Sequence, residues 1–405
     1  MSVVYDFVPA SQLAGRSSLP ESLLVVASLL VVVGFLLGVR AVRQGVLRLG
    51  PRGERVLILG TSELARKVLE EIEARPDLRY SVVGMVDDAA GERPPTRYPV
   101  LGTLETLGPV VDAIRPDRII VALGERRGRL PVRRLLAARA RGIAVEDGAH
   151  TYERLTGKLA LEALAPCSVI FSADFRPSRL QRGVARGLGL VASVIGLVAL
   201  APALGLIALA IKLDSRGPVF FVQRRVGLFG RSFKLIKFRT MHPAHTCTSE
   251  WERDNDDRIT RVGRWLRRFR LDELPQLVNV VRGEMNLVGP RPHPVTNFEL
   301  LELTLRNVSE LTGDAIPYYS LRCAIRPGIT GWAQVRYGYA NTLDEETEKI
   351  RYDLYYLKCM SLWFDLRILV ETVWIVLSGR GAAHAGAGRS GAPAEQVPTR
   401  FGRAA

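Results

Sequence analysis

Cysteine is scarce in this chain of 405 residues, and its shortage narrows what the protein can be. The four cysteines lie far apart, at positions 167, 247, 323 and 359, and form no CxxC pair. This spacing argues against a disulfide scaffold or a zinc ribbon and fits a reducing cytosolic environment. One metal-like string, His242-x-x-His245-x-Cys247, has no second ligand cluster beside it, and we expect no metal there.

Lysine is also scarce, since only seven of the 56 basic residues are lysine and the rest are arginine. Against 41 acidic residues the net charge is +15, which predicts an anionic partner: nucleic acid, phospholipid headgroups or phosphorylated metabolites. Arginine suits phosphate contacts, although a genome-wide codon bias would produce the same skew. With 47% hydrophobic and 24% charged residues the composition is that of a globular protein. The length leaves room for two or three domains of about 150 residues.

Two long apolar runs stand out. Residues 22–39 are eighteen consecutive uncharged residues, which is about the length needed to cross a bilayer. Arginines are denser after this run than before it, so we expect a retained membrane anchor within residues 1–50, with its C-terminal side in the cytoplasm. A cleaved signal peptide is the alternative, but its basic residues would precede the run.

The second run, residues 187–211, has twenty-five uncharged residues, basic residues on both flanks and Pro202 inside. Both ends therefore favour the cytoplasmic face, and a proline in mid-helix removes a hydrogen bond and bends the axis. We expect a re-entrant helix that is broken at Pro202 and returns to the same face. A straight second span and a buried soluble helix are the alternatives.

Between the runs, residues 51–175 predict a Rossmann-like α/β domain. Strands are expected at 55–60, 80–86 and 118–123, and helices at 63–73 and 103–114. A glycine, Gly60, ends the first strand, but Ser62 stands where a pyrophosphate-binding loop has its second glycine, and Glu63 would repel phosphate. We therefore expect the fold without a bound dinucleotide. Asp87 could bind a ribose or simply end a strand in a turn.

Cations recur after the second run. Lys234, Lys237 and Arg239 alternate with apolar residues, which predicts a strand with either a solvated or a phosphate-facing cationic side. Arginines then recur every three residues from Arg258 to Arg267, with Arg268 and Arg270 beside them. A helix there would carry a basic stripe suited to anionic headgroups or to nucleic acid.

Two adjacent carboxylates, Asp272 and Glu273, follow this stripe and precede Pro275, in the expected first turn of a helix. A helix N-terminus favours ionised carboxylates and bound phosphate, which would keep Asp272 deprotonated and competent as a nucleophile. The neighbouring acid could hold Mg²⁺ together with substrate phosphates. Helix capping by Asp272 is the structural alternative.

Seven short motifs occur in a fixed order along the chain, and as a set they are highly specific for one protein family. In order they are Lys212 to Phe221, Lys237 to Met241, Arg258 to Thr260, Leu271 to Leu277, Gly283 to Met285, Leu287 to Pro292 and Arg326 to Trp332. This series resembles the bacterial sugar transferases, the monotopic phosphoglycosyl transferases that start exopolysaccharide and O-antigen assembly, over residues 181–381. The strings at 332–339 and 351–356 are similar to members associated with exosortase-type systems. The middle domain looks like the CoA-binding-type domain of larger members.

The resemblance implies a function for the dyad. Asp272 would attack the β-phosphorus of a UDP-sugar and release UMP, and polyprenyl phosphate would then take the phosphosugar from the aspartyl enzyme. Glu273 would ligand Mg²⁺, and Arg291 would contact phosphate, with Arg225, Lys237 and Arg239 as further candidates. The family's re-entrant helix is broken at a proline, here Pro202. The catalytic domain would face the cytoplasm at the bacterial inner membrane.

The sequence thus predicts an α/β protein with an N-terminal membrane helix, a Rossmann-like domain and a mixed α/β membrane-associated catalytic domain with a re-entrant helix. Residues 366–377 predict a surface helix, because charges interrupt the apolar run, and residues 382–405 predict a disordered tail. The expected partners are a UDP-sugar, polyprenyl phosphate, membrane lipid and, as an open point, a second copy of the chain. Nucleic acid is not expected. A non-catalytic membrane-anchored sensor or scaffold that binds a nucleotide is the rival function.

Overall fold

The computed structural model describes residues 53–88, 97–124, 128–164, 175, 178–242, 258–295, 319–337 and 343–378. Three predictions fall outside these ranges. They are the N-terminal membrane helix, the C-terminal tail and most of the metal-like string after His242.

A four-stranded parallel sheet organises the first half of the described chain. Its strands lie side by side in the order β2-β1-β3-β4. They are β1 (Glu54–Leu59), β2 (Tyr80–Val86), β3 (Arg118–Val121) and β4 (Ala144–Asp147). This order, with the first strand inside the sheet, is the flavodoxin-like order of a doubly wound, Rossmann-like α/β sheet. The three predicted strands are confirmed within two residues.

Helices cover both faces of this sheet, namely α1 (Glu63–Glu73), α2 (Leu107–Ile114), α3 (Val132–Ala140) and α4 (Gly148–Thr156). Successive side chains of a strand point to opposite faces. Val56 and Ile58 accordingly pack in one cluster with α1 and α4, and Leu57 and Leu59 pack in another with α2 and α3. The uninterrupted apolar run of β1 follows from this burial on both faces.

The second apolar run forms one long helix, α5 (Arg179–Asp214), with Pro202 inside it. Among the described residues it is the one helix long and apolar enough to cross a membrane, and only 6% of its most apolar window is buried. The helical assignment continues through Pro202, so the predicted break in secondary structure is not seen. The re-entrant path itself stays a prediction.

Contacts along α5 are confined to its two arms. Near its start Gly189 is buried against Leu287, and near its end Ile211 packs with Phe238. Residues 198–203, on either side of Pro202, are all exposed. The middle of the apolar helix therefore projects from the domain without packing against the described residues.

The remaining elements form a mixed α/β unit beside α5. Strands β5 (Phe220–Val226) and β6 (Ser232–Phe238) make an antiparallel hairpin, and β7 (Asn286–Val288) pairs in parallel with β8 (Gly328–Thr330). The helices are α6 (Arg261–Arg268), α7 (Gln276–Arg282), α8 (Trp332–Arg336), α9 (Leu343–Cys359) and α10 (Leu362–Leu377).

The two halves are joined by the segment that follows α4. Leu159 is fully buried in the core of the second half. The indole of Trp332 donates to the Gly157 carbonyl at 2.8 Å, and Lys158 Nζ lies 2.6 Å from Glu348 on α9. The Rossmann-like half thus packs directly on α8 and α9.

Helix α10 packs on the core through Phe364, Ile368 and Leu369, and its outer side is also largely apolar. Asp365 accepts a hydrogen bond from the Tyr356 hydroxyl at 2.7 Å, and Glu371 lies 2.9 Å from Arg336. The exposed large hydrophobic residues are Leu362, Trp363, Leu366, Val370, Val373, Trp374 and Leu377. This pattern is that of a helix that lies on a surface with its apolar side outward.

Candidate functional site

The carboxylate pair lies in a short turn between two helices. After α6 the chain reaches Arg270, whose backbone is in the left-handed region at φ 51°. This reverses the chain into a 3-10 turn, Leu271–Glu273, and Pro275 then starts α7. The turn buries both acids, leaving Asp272 9% and Glu273 6% exposed.

A buried asparagine fixes α7, and with it the turn, to strand β6. Asn279 donates to the Lys234 carbonyl at 2.8 Å and to Glu284 at 2.6 Å, and its side-chain oxygen accepts from the Ile236 amide at 3.1 Å. Because β6 also carries Lys237, this contact sets the distance between the acids and that lysine.

Glu273 is the paired acid of the two. Its Oε1 lies 2.9 Å from Arg291 Nη1. Burial acts to raise the pKa of Glu273, but the charges of Arg291 and Arg270 outweigh it and hold that pKa below its ordinary value. Glu273 is therefore an ionised, hydrogen-bonded anion at neutral pH.

Asp272 accepts no hydrogen bond from any residue in the described ranges. Burial, reinforced by the charge of Glu273, raises the pKa of Asp272 to about 6, against the pull of Lys237 and Arg291. The expectation that a helix N-terminus governs its ionisation is wrong, since α7 has only seven residues and begins after Pro275. At neutral pH Asp272 is still ionised, and a carboxylate without donors is a better nucleophile than a solvated one.

Lys237 is the second cation at the dyad. Its burial lowers its pKa to about 8, although the charge of Asp272 opposes that shift. Its Nζ also lies 5.1 Å from the centre of the Phe221 ring. The predicted common face with Lys234 is wrong, because residues three apart in a strand point to opposite faces and Lys234 is exposed.

Arg225 and Arg239, the other two predicted phosphate-binding cations, are hydrogen-bonded to neighbouring loops and not to the acids. Arg225 on β5 donates to the Pro292 carbonyl at 2.9 Å and so holds the loop that carries Arg291. Arg239 is buried and donates to Ser215 and Arg216, at 2.7 to 3.1 Å, in the turn that ends α5. The structure therefore brings Arg291 and Lys237 to the acids and places Arg239 at the end of the apolar helix.

Two arginines near the acids were missed as site residues. Arg267 is close enough to lower the pKa of Asp272, as Arg270 lowers that of Glu273. The sequence could have indicated them by their positions, because Arg267 lies five and Arg270 two residues before Asp272. The predicted helical stripe is shorter than expected, since Arg258 lies before α6 and donates to the His242 carbonyl.

Asp272 and Glu273 are the residues that could hold Mg²⁺ if substrate phosphates completed its ligands. Mg²⁺ is usually bound by one or two carboxylates together with water and substrate phosphates. Glu273 keeps a second carboxylate oxygen beside the one that faces Arg291, and Asp272 adds its own. No group of three or more His, Cys, Asp or Glu that could hold a metal ion is found in the described part of the chain, so the protein supplies at most these two carboxylates.

The first β-α turn of the parallel sheet is occupied by its own side chains. Asp87, at the end of β2, accepts from the Thr61 amide and hydroxyl at 2.8 and 2.7 Å and from Arg129 at 2.8 Å. Ser62 donates to the Ala122 carbonyl at 2.6 Å. A phosphate would have to displace Asp87 to reach these donors, which is consistent with the expectation of no dinucleotide.

Comparison with known proteins places this geometry in a family. The model of the bacterial sugar transferase family matches residues 180–379, and that of the CoA-binding domain matches residues 23–156. The UDP-glucose:undecaprenyl-phosphate glucose-1-phosphate transferase of Escherichia coli (strain K12) is 31% identical over 326 residues, which cover 79% of this chain and 67% of that protein. The chain belongs to the bacterial sugar transferase family. The resemblance expected from the motifs is confirmed.

Other relatives of this sugar transferase differ in their named substrates. The UDP-N-acetylgalactosamine-undecaprenyl-phosphate N-acetylgalactosaminephosphotransferase of Aeromonas hydrophila is 38% identical over 231 residues, 57% of this chain and 51% of that protein. The exopolysaccharide production protein PSS of Rhizobium leguminosarum bv. phaseoli is 41% identical over 193 residues, 46% of this chain and 92% of that protein. The chain spans about half the length of the Aeromonas relative.

Proposed function

We propose that this sugar transferase is a membrane-bound phosphoglycosyl transferase. It moves a sugar-1-phosphate from a UDP-sugar to polyprenyl (undecaprenyl) phosphate through a covalent aspartyl intermediate, and so initiates exopolysaccharide assembly. The observation that carries the proposal is Asp272, a buried carboxylate without hydrogen-bond donors among the described residues, with Lys237 and Arg291 close enough to lower its pKa.

The first half-reaction breaks the diphosphate of the donor. A carboxylate oxygen of Asp272 attacks the β-phosphorus, and the bond between that phosphorus and the bridging oxygen breaks. UMP leaves with the bridging oxygen and both bonding electrons, and the sugar phosphate stays on Asp272 as an acyl phosphate. Release of UMP rather than UDP distinguishes this reaction from ordinary glycosyl transfer.

The second half-reaction restores the enzyme. A phosphate oxygen of polyprenyl phosphate attacks the same phosphorus, and the bond to Asp272 breaks. The products are polyprenyl-diphospho-sugar and the free carboxylate. No oxidant, reductant or further co-reactant is needed, since each step exchanges one phosphorus-oxygen bond for another.

The cations stabilise the negative charge that the phosphoryl group spreads over its oxygens in each transition state. Arg291 is held by Glu273 and presents a side chain that is one-third exposed, so it can turn part of its guanidinium to a substrate phosphate. Lys237 is close enough to change the ionisation of Asp272, and it can contact the same phosphoryl group. Arg267 adds a third positive charge there.

Glu273, with Asp272, would hold Mg²⁺ together with the donor's diphosphate. A bound Mg²⁺ supplies charge neutralisation of the leaving phosphate. Glu273 suits this role because its lowered pKa keeps it ionised over the whole physiological range.

Membrane attachment follows from apolar surfaces without a protein partner in the described ranges. The middle of α5 around Pro202 is exposed on every side, while both of its arms pack on the same domain. A re-entrant path that dips into one leaflet at Pro202 and returns accounts for both facts. The outer side of α10 would lie on the same leaflet. We place this surface on the cytoplasmic side of the bacterial inner membrane, where nucleotide sugars are made.

The sugar is left open, because the relatives are named for glucose and for N-acetylgalactosamine. A panel of UDP-sugars with undecaprenyl phosphate, assayed for UMP release by the purified protein, tests the proposal. We expect UMP with at least one sugar and none from Asp272→Asn. Undiminished UMP release by Asp272→Asn would remove Asp272 as nucleophile. Polymer production that survives this substitution in cells would instead favour the non-catalytic scaffold.

A further inference from the structure

A second arginine lies behind the one that faces the dyad. Arg322, in the 3-10 turn Tyr319–Ala324, is only 6% exposed although it carries a full charge. A buried cation is stable only when its donors are satisfied. The identity of its partners therefore says what the residue does.

Arg322 joins the Arg291 loop to helix α9. Its Nη2 donates to the main-chain carbonyl of Arg291 at 2.9 Å and to Asp353 Oδ2 at 2.8 Å. A planar guanidinium can make both bonds at once in fixed directions, which an ammonium group cannot. The main chain of Arg291 is thus held by a side chain that is itself fixed by α9.

His293 adds a second attachment of the same loop. The Nη1 atom of Arg322 lies 2.8 and 3.0 Å from its two ring nitrogens, and Glu346 Oε1 lies 2.8 Å from its Nε2. Burial and the charge of Arg322 lower the pKa of His293 to about 4. The neutral ring can therefore accept a hydrogen bond from Arg322.

The positive and negative charges between the Arg291 loop and helix α9 are equal in number. Glu346, Lys349 and Asp353 share one side of α9, at spacings of three and four residues. Together with Arg322 they give two positive and two negative charges. Such a cluster adds little net charge at the dyad, so its effect on the dyad is geometric.

We propose that Arg322 is a positioning residue that fixes Arg291 against Glu273. This inference rests on the proposed function, because it deepens the account of that same site. Arg322 acts through the main chain of Arg291 and touches neither acid in the hydrogen bonds of the described chain. In the intact protein the Arg291 guanidinium lies 2.9 Å from Glu273. Loss of the contact with Arg322 would leave this guanidinium less firmly positioned.

A double-mutant cycle on UMP release tests this dependence. Arg322→Lys keeps the charge but loses the forked contact, and we expect it to lower kcat about tenfold with little change in KM for the UDP-sugar. In an Arg291→Ala background the same substitution should lower kcat by less than about twofold, because the residue it positions is gone. Equal losses in both backgrounds would overturn the proposal.

Arg336→Lys is the matched control. Arg336 is an arginine of the same domain that pairs with Glu371, away from the loop. It should leave kcat near that of the wild type. If Arg322→Lys does not fold, Asp353→Asn repeats the cycle, since it weakens the support of Arg322 and preserves side-chain size.

Hydrogen exchange supplies a readout that does not need turnover. We expect faster exchange of a peptide covering residues 286–295 in Arg322→Lys and unchanged exchange in Arg336→Lys. Unchanged exchange in both variants would contradict the positioning role. A wild-type protein that releases no UMP but shows this exchange difference would refute the proposed function and keep the positioning contact.

Discussion

Two buried aspartates, one in each half of the chain, have opposite surroundings. Asp87 at the edge of the parallel sheet is 4% exposed and accepts hydrogen bonds from Thr61, Asp88 and Arg129 at 2.7 to 2.8 Å. Asp272 is 9% exposed and accepts none from the described residues. The comparison separates a carboxylate whose charge is met by hydrogen bonds from one whose charge is met only by nearby cations.

The difference follows from the cost of burying charge. A buried carboxylate that is fully hydrogen-bonded recovers most of its desolvation energy, whereas one facing cations without direct bonds recovers less. The pKa of Asp272 is raised because its desolvation energy is not fully recovered. We therefore expect Asp272 to cost stability and supply activity, and Asp87 to do the reverse.

Substitution of the two aspartates by asparagine should have the largest and most unequal effect on turnover. Asp272→Asn removes the nucleophile, and we expect UMP release to fall on the order of 10⁴-fold or more. Asp87→Asn lies outside the reaction and should retain activity within about threefold. Comparable losses in both variants would mean that Asp272 has no special chemical role.

Loss of the cation paired with Glu273 should have the next largest effect. Arg291→Ala removes a donor aimed at developing phosphoryl charge, and we expect kcat to fall about 10² to 10³-fold. Arg239→Lys is the contrasting variant, because Arg239 holds the turn after α5. It should lower the unfolding midpoint more than it lowers kcat. The reverse order of effects on kcat would return Arg239 to the site.

The pH dependence of stability provides a third test. The pKa of Asp272 rises to about 6 in the folded chain, so the folded state holds a proton that the unfolded state has already lost between about pH 4 and pH 6. The contribution of Asp272 to stability is therefore greatest below about pH 4 and falls as pH rises through 6. The stability of Asp272→Asn relative to wild type should therefore rise by about 3 kcal/mol from pH 4 to pH 7.

The difference between variant and wild type isolates Asp272 in that measurement. Burial also raises the pKa of Asp353 and of Asp365 to about 6, and both contribute to the wild-type curve. They are present in both proteins and cancel. Parallel denaturation curves for the two proteins from pH 4 to pH 7 would contradict the raised pKa of Asp272.

The smallest expected effect is on the stability of the sheet half. Asp87→Asn weakens the bonds from Thr61 and Arg129, and we expect the unfolding free energy at neutral pH to fall by about 1 kcal/mol. Thermal unfolding of both asparagine variants at pH 7 measures the contrast. A destabilised Asp272→Asn with an unaffected Asp87→Asn would reverse the interpretation of the two aspartates.

Local sequence signals predicted much of this molecule. The ends of α1 and β2 were correct because Ser62 caps the helix and Asp87 ends the strand. The dyad was singled out because its two adjacent acids lie within the family-like motif Leu271 to Leu277, two and three residues before Pro275. Such features depend on neighbours within a few residues, and the sequence displays them directly.

The errors concern contacts between distant parts of the chain. Arg239 finds its partners at Ser215 and Arg216, 23 and 24 residues earlier, and Arg322 finds Asp353 31 residues later. Proximity of Arg267 to the acids depends on the left-handed backbone of Arg270, which no residue-type preference predicts for an arginine. The family resemblance named Arg239 as a candidate phosphate contact, and it named neither Arg322 nor Arg267.

The covalent intermediate is the most direct test of the central claim. The purified protein is incubated with Mg²⁺ and its best UDP-sugar in the absence of polyprenyl phosphate, and peptides are analysed by mass spectrometry. We predict a sugar-phosphate adduct on the peptide that contains Asp272, formed together with UMP, lost when polyprenyl phosphate is added and absent from Asp272→Asn. UMP release without an adduct, or an adduct on another residue, would contradict the account.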